Sequence, residues 1–198
     1  MENMTYLNVS REQLLQDMQQ VMRPKRFEHV LRVEQTALAL VDALNLDVDR
    51  ASVSLAAVAH DFAKDLPLAE ARELALRYQP ERLDLAQCGS EIVHGPAAAC
   101  LLQVRYDCTN QSVLNAIAGH TIGSKEMDLV AQVVYIADYI EPARDFDGVE
   151  EARRLAQHDL KAACWYKMTH TLAYLVAQRV PLDLGCVAVY NAWCQTFI

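Results

Sequence analysis

The sequence predicts an all-α fold, a single bundle of helices. Apolar residues recur three and four positions apart through nearly the whole chain, and no segment shows the strict alternation of a half-buried strand. Prolines 24, 67, 96 and 142 fall where one apolar stretch ends or the next begins, as helix boundaries require.

The elements follow in order. Ser10 with Gln13 is a capping-box pair, opening a helix over 10–22 that buries Leu14, Met18, Val21 and Met22. Pro24 separates it from a second helix carrying Val30, Val33, Ala37, Leu40, Val41 and Leu44, which stops near Asn45. A central helix over 48–63 has almost no polar face and so belongs in the middle of the fold. Pro67 opens a short helix to Tyr78, and residues 79–93, with Pro80, Gly89 and Ser90, are the least regular part. Pro96 fits the first turn of a helix over 97–106. Helices over 112–120 and 128–141 follow, then three near 149–157, 159–180 and 185–197.

Composition narrows the function. The 198 residues, 53% hydrophobic and 22% charged, are enough to bury a sizeable core in one domain spanning 1–198. Its core is expected over about 22–180, with the first and last helices packed on it. A net charge of −8 argues against broad binding to nucleic acid or anionic membrane, but leaves room for a small phosphorylated ligand. There is no secretory-type N-terminus and no apolar stretch of membrane-spanning length. The six cysteines are scattered, without a CxxC pair, and read as reduced, mostly buried thiols. The expectation is a soluble cytoplasmic protein, with a homodimer left open.

The chemistry sits in His60-Asp61, an ionisable pair inside the central apolar run. Burying it costs several kcal/mol unless hydrogen bonds or a metal compensate. Four more groups stand in similar settings. His29 shares a helical stripe with Val33, Ala37 and Leu40; His120 shares one with Val113 and Ala116; Asp138 shares one with Ala131 and Val134. His94 precedes Gly95-Pro96, where the chain enters a helix. One inward histidine is more often a hydrogen-bonded core residue than a ligand, but six such groups on separate segments point to a metal site. Imidazole with carboxylate suits Fe, Mn, Zn, Co or Ni. His158 and His170 lack this setting and receive no role.

The order His29, His60-Asp61, His94, His120, Asp138 resembles the HD-domain metal-dependent phosphohydrolase superfamily, and more narrowly its YqeK-like bacterial branch of symmetrical diadenosine tetraphosphate hydrolases. The matching segments are Arg26-Phe-Glu-His29, Ala59-His-Asp-Phe-Ala-Lys-Asp65, Val93-His-Gly-Pro96, Gly119-His-Thr-Ile-Gly123 and Tyr135-Ile-Ala-Asp-Tyr-Ile-Glu-Pro-Ala-Arg144. Ile122 departs from the family pattern, standing where a second threonine is expected. The resemblance implies that His29, His60, Asp61 and Asp138 hold a first divalent metal, iron foremost. His94 and His120 would hold a second ion or contact phosphate, giving one or two ions in all. It implies diadenosine tetraphosphate as substrate, cut to two ADP, and a segment near Pro181 that closes over the nucleotide.

Lys64, Arg26 and Arg144 each stand close in sequence to a ligand position. Any one alone is most often a solvated charge, but together they suit phosphate contact. The expected mechanism has a metal-activated water attacking phosphorus, with Asp61 and Lys64 as the catalytic pair. Arg26, His29, Lys64, His94, His120, Tyr139 and Arg144 would bind substrate, and Tyr139, Phe146 and Tyr174 offer stacking surfaces. The alternatives are an HD phosphohydrolase of a cyclic dinucleotide, nucleoside phosphate or alarmone, a non-catalytic nucleotide-binding metal protein, and oxygen-dependent chemistry at a di-iron site. The Gly-Tyr-Pro element of the cyclic-dinucleotide enzymes is missing from the chain.

Overall fold

A computed structural model describes residues 6–196; residues 1–5 and 198 of the expected domain, and residue 197 of the expected last helix, lie outside them. Among the described residues there are ten α-helices and no strand. They are α1 Arg11–Val21, α2 Pro24–Ala43, α3 Arg50–Ala59, α4 Leu68–Tyr78, α5 Ser90–Tyr106, α6 Gln111–Gly119, α7 Leu129–Ile140, α8 Val149–Ala156, α9 Leu160–Ala177 and α10 Leu184–Cys194. A short 3-10 turn, Leu83–Ala86, joins α4 to α5.

The caps are local and strong. Ser10 Oγ accepts from the Gln13 amide at the start of α1, and Pro24 occupies the first turn of α2, where its missing N–H costs nothing. Five later helices open on an Asp or Asn whose side chain accepts from their first-turn amides: Asp49, Asn110, Asp128, Asp159 and Asp183. Each such cap contributes about 1 kcal/mol.

Helix α3 occupies the middle, with eight of its ten residues buried, and α2, α6 and α7 pack around it. Each Val or Leu buried there contributes about 1.5–3 kcal/mol relative to exposure. Helix α4 lies on α5, α5 on α6, and α8 and α9 on α7. The four central helices or the turns that close them carry five of the six candidate ligands, and α5 carries the other.

Two boundaries and one burial differ materially from the sequence reading. The central helix ends at Ala59, so His60 and Asp61 lie in the tight turns that follow, closed by Phe62 N–H to Ala59 C=O at 3.0 Å and Lys64 N–H to Asp61 C=O at 2.9 Å. An apolar stripe continues through such turns, so periodicity alone does not reveal the change. Helix α5 begins at Ser90 rather than 97, placing Pro96 inside it and His94 on the helix. An interior proline costs about 3 kcal/mol. Here it sits in an unbroken buried run, Val93 to Cys100, whose packing offsets that cost. Val21 is 49% exposed rather than buried, because it lies off the i, i+4 stripe of Leu14, Met18 and Met22 that faces the core.

Gly95 explains how closely α5 and α6 approach. A Cβ there would stand 2.8 Å from Ala118 C=O and 3.0 Å from Ile117 C=O, so no larger residue fits without moving α6. That approach brings the rings of His94 and His120 to a centroid distance of 4.7 Å.

Candidate metal centre

The six side chains singled out in the sequence converge. His29 comes from α2, His60 and Asp61 from the turn after α3, His94 from α5, His120 from the C-terminal cap of α6, and Asp138 from α7. His29, His60, Asp61, His94 and His120 are buried, and Asp138 is nearly so.

Each histidine has one ring nitrogen committed. His60 Nδ1 meets Ala57 C=O at 2.7 Å and His120 Nδ1 meets Ile117 C=O at 2.7 Å, both carbonyls lying in the last turn of a helix. His94 Nδ1 meets Ser90 C=O at 2.8 Å, and His29 Nδ1 lies 3.1 Å from Glu141 Oε1. A carbonyl or carboxylate fixes the N–H on Nδ1, so all four rings turn an Nε2 lone pair inward.

Asp61 sits between two pairs of these nitrogens. Its Oδ2 is 3.7 Å from His29 Nε2 and 3.6 Å from His60 Nε2, while Oδ1 is 3.1 Å from His94 Nε2 and 3.7 Å from His120 Nε2. Asp138 Oδ1 joins the first pair, 3.1 Å from His29 Nε2 and 3.8 Å from His60 Nε2. Two donor sets result, His29-His60-Asp61 with Asp138, and Asp61-His94-His120, sharing Asp61.

A metal fits this arrangement on the protein's own atoms. His29 Nε2 and His60 Nε2 are buried without a hydrogen-bond partner, a costly state that a cation relieves. His94 Nε2 and His120 Nε2 stand 2.9 Å apart with lone pairs facing, which a shared positive charge would stabilise. The donor set of imidazoles and carboxylates matches divalent first-row metals.

The electrostatics keep the donors in their ligating forms. Burial lowers the pKa of His60 and takes that of His120 well below its ordinary value, favouring neutral rings. Burial alone would raise Asp61, but His60, His94 and His120 outweigh it and hold the carboxyl well below the usual range. Asp138 is likewise held well down against its burial, by His29 and Lys167 above all.

The expected cations are present. Arg26 Nη1 donates to Asp61 Oδ2 at 2.7 Å, Arg144 Nη2 to Asp138 Oδ1 at 2.6 Å, and Lys64 pairs with Glu91. They line a groove of about 850 Å³ with Arg23, Lys25 and Arg32, open to the cleft of about 270 Å³ that holds Asp61, His94, His120 and Asp138. Beyond that cleft lies a mostly apolar cavity of about 310 Å³, walled by Ile92, Tyr135, Met168, Leu175, Val180 and Pro181. Tyr139 lines none of the three: its hydroxyl is 2.8 Å from His170 Nδ1 and its ring packs on Phe146. Tyr174 is 59% exposed.

Three functional neighbours escaped the sequence reading. Glu141 is buried against His29, accepts from Arg32 Nε at 2.7 Å, and is held at a pKa of about 2 because Arg32, the Ala143 amide and His29 overcome its burial. Arg32 stands one helical turn beyond His29, a spacing that could have suggested it. Lys167 is buried in α9 and donates to the carbonyls of Tyr135 at 2.6 Å and His120 at 3.1 Å; burial lowers its pKa to about 8. A lysine between Tyr166 and Met168 on a largely apolar helix was its one signal.

The sequence profile of the HD domain family matches residues 26–143, a span containing all six convergent residues. The chain belongs to the HD domain family. A protein of Bacillus subtilis (strain 168) named "Bis(5'-nucleosyl)-tetraphosphatase, symmetrical" is 33% identical to this HD domain over 92% of the chain and 97% of that relative. A Staphylococcus aureus (strain NCTC 8325 / PS 47) protein of the same name is 34% identical over 84% of this chain and 87% of its own. A crystal structure from Clostridium acetobutylicum, described as a predicted HD superfamily hydrolase involved in NAD metabolism, superposes with a TM-score of 0.82 at 29% identity. It covers 95% of this chain and 98% of that one. No described helix of this HD domain is long and apolar enough to cross a membrane.

Proposed function

We propose that this HD domain is a metal-dependent phosphoanhydride hydrolase that cuts diadenosine tetraphosphate symmetrically to two ADP. The observation that carries the reading is a two-set donor centre, bridged by Asp61, opening onto a groove of cations, in a chain whose near-full-length relatives bear the name of that activity.

The first donor set, His29, His60, Asp61 and Asp138, would hold iron in preference to Mn, Co, Ni or Zn. His94 and His120 would hold a second ion or meet phosphate directly. When bound, a divalent cation supplies Lewis acidity toward phosphoryl oxygen and makes a neighbouring water more acidic. The chain's own residues do the rest. Asp61 orients the reacting groups, since its two oxygens reach both nitrogen pairs. Arg26, Arg144 and Lys64 now sit on carboxylates and would transfer part of that hydrogen bonding to phosphate oxygens, offsetting charge on the leaving ADP. The walls of the apolar cavity, with Val180 and Pro181, suit a nucleoside.

The same proposal takes residues 1–198 as one domain, in the cytoplasm, acting on a small dinucleotide and not on nucleic acid or membrane. Incubating metal-replete protein with diadenosine tetraphosphate and separating products by anion exchange tests it. Two equivalents of ADP per substrate support the reading, and ATP with AMP, or no turnover with any divalent metal, overturns it.

A further inference from the structure

Helix α9 presents a stripe, polar at one end and apolar at the other, that the donor set and the cationic groove do not use. Lys167, Thr171 and Leu175 follow one another at four-residue spacing, so they share one face and span about 12 Å along the axis. Their surroundings change along that stripe. Lys167 lines the metal cleft, Thr171 lines both the cleft and the apolar cavity, and Leu175 lines the cavity alone. Thr121 also borders both spaces, with its hydroxyl 3.2 Å from His120 Nε2 and 3.4 Å from His94 Nε2.

Lys167 is a buried ammonium, 5% exposed, with three protons to place. The carbonyls of Tyr135 and His120 take two of them, at 2.6 and 3.1 Å. The ammonium also stands 3.7 Å from the centre of the Tyr135 ring, and its nearest anion, Asp138 Oδ2, is 3.8 Å away, an ion-pair distance beyond a hydrogen bond. Glu91, the acid that lines both cleft and cavity, is committed to Lys64 and its side chain is 78% exposed at the rim, and Asp183 on the cavity wall is paired with Arg82. With Asp61 and Asp138 turned to the donor centre, the groups of this inner wall suited to an anion are the Lys167 ammonium and the two threonine hydroxyls, while Arg26, Lys64 and Arg144 line the outer groove.

We infer that Lys167 and Thr171, with Thr121, form a seat for the phosphate next to the ribose of a nucleoside bound in the apolar cavity. The seat rests on the function proposed above and adds a reason for the position of the cut. One phosphate held by Lys167 and Thr171 leaves the next one over the donor centre, so the nucleoside in the cavity departs carrying two phosphates. Lys167 then has two duties, since its backbone bonds also tie the end of α6 to α7.

Inhibition by AMP and by adenosine, read side by side on the metal-replete full chain, isolates the seat, because the two probes differ only by that phosphate. The wild type binds AMP about tenfold more tightly than adenosine, the value of one charge-assisted hydrogen bond. Lys167→Met reduces this advantage to less than about twofold, leaves the adenosine constant unchanged and releases ATP with AMP from the four-phosphate substrate. Thr171→Val, which disturbs no backbone tie, reduces it about threefold and decides the matter if Lys167→Met does not fold. An advantage that survives in Thr171→Val and in folded Lys167→Met overturns the seat, as does an equal loss of AMP and adenosine binding. Calorimetric binding of both probes needs no turnover, so the result stands whether or not the dinucleotide is cut to ADP.

Discussion

His60 and Arg26 reach the same carboxylate, Asp61, from two differently built regions. The imidazole interior is buried, and every ring has its Nδ1 fixed by a carbonyl or carboxylate, so its lone pairs are aimed before anything binds. The cationic rim is half-exposed, and each cation rests on a carboxylate: Arg26 on Asp61, Arg144 on Asp138, Lys64 on Glu91. The guanidinium and ammonium groups keep their charge-assisted hydrogen bonds if a phosphate takes the place of the carboxylate. The interior is preorganised for a cation and the rim is exchangeable for an anion.

Substitutions separate the two regions. Asp61→Ala removes the carboxylate shared by both donor sets, and hydrolysis should fall about a thousandfold or more with loss of bound metal; full activity at full metal content would break the account. Glu141→Gln loosens the His29 ring and should weaken metal binding about 10–100-fold in a titration of the metal-free protein, with the KM for substrate little changed. Arg26→Ala and Arg144→Ala should do the reverse, raising KM about tenfold while metal content stays full. If these arginine variants lost metal instead, the division into interior and rim would fail.

A smaller effect concerns acid. Glu141 is held at about 2 against an ordinary 4.5. A depressed carboxyl stabilises the fold above its unfolded value and loses that contribution as pH falls through the folded one. The thermal midpoint of the metal-free wild type should therefore fall toward that of Glu141→Gln between about pH 4.5 and 2. A constant gap across that window would remove Glu141 from the account. His158→Ala, at an exposed position outside both regions, should change neither metal content nor turnover.

The difference between the regions also explains what the sequence could reveal. All-α architecture was legible because apolar spacing repeats in every helix, and His29, His120 and Asp138 stood out because they interrupt those stripes. Glu141 and Lys167 were illegible because their meaning lies in partners 112 residues away at His29 and 47 away at His120. The start of α5 was obscured by Pro96, whose cost is offset by burial that only the assembled fold supplies. Tyr139 shows the limit from the other side: an aromatic beside a ligand position looked like a stacking surface, whereas its hydroxyl lies against His170.

Anomalous diffraction from crystals of metal-replete protein tests the central claim most directly. The account predicts a peak contacted by Nε2 of His29 and His60 and by carboxylate oxygens of Asp61 and Asp138. Metal bound elsewhere, or active crystals with those nitrogens bonded only to protein or water, would contradict it.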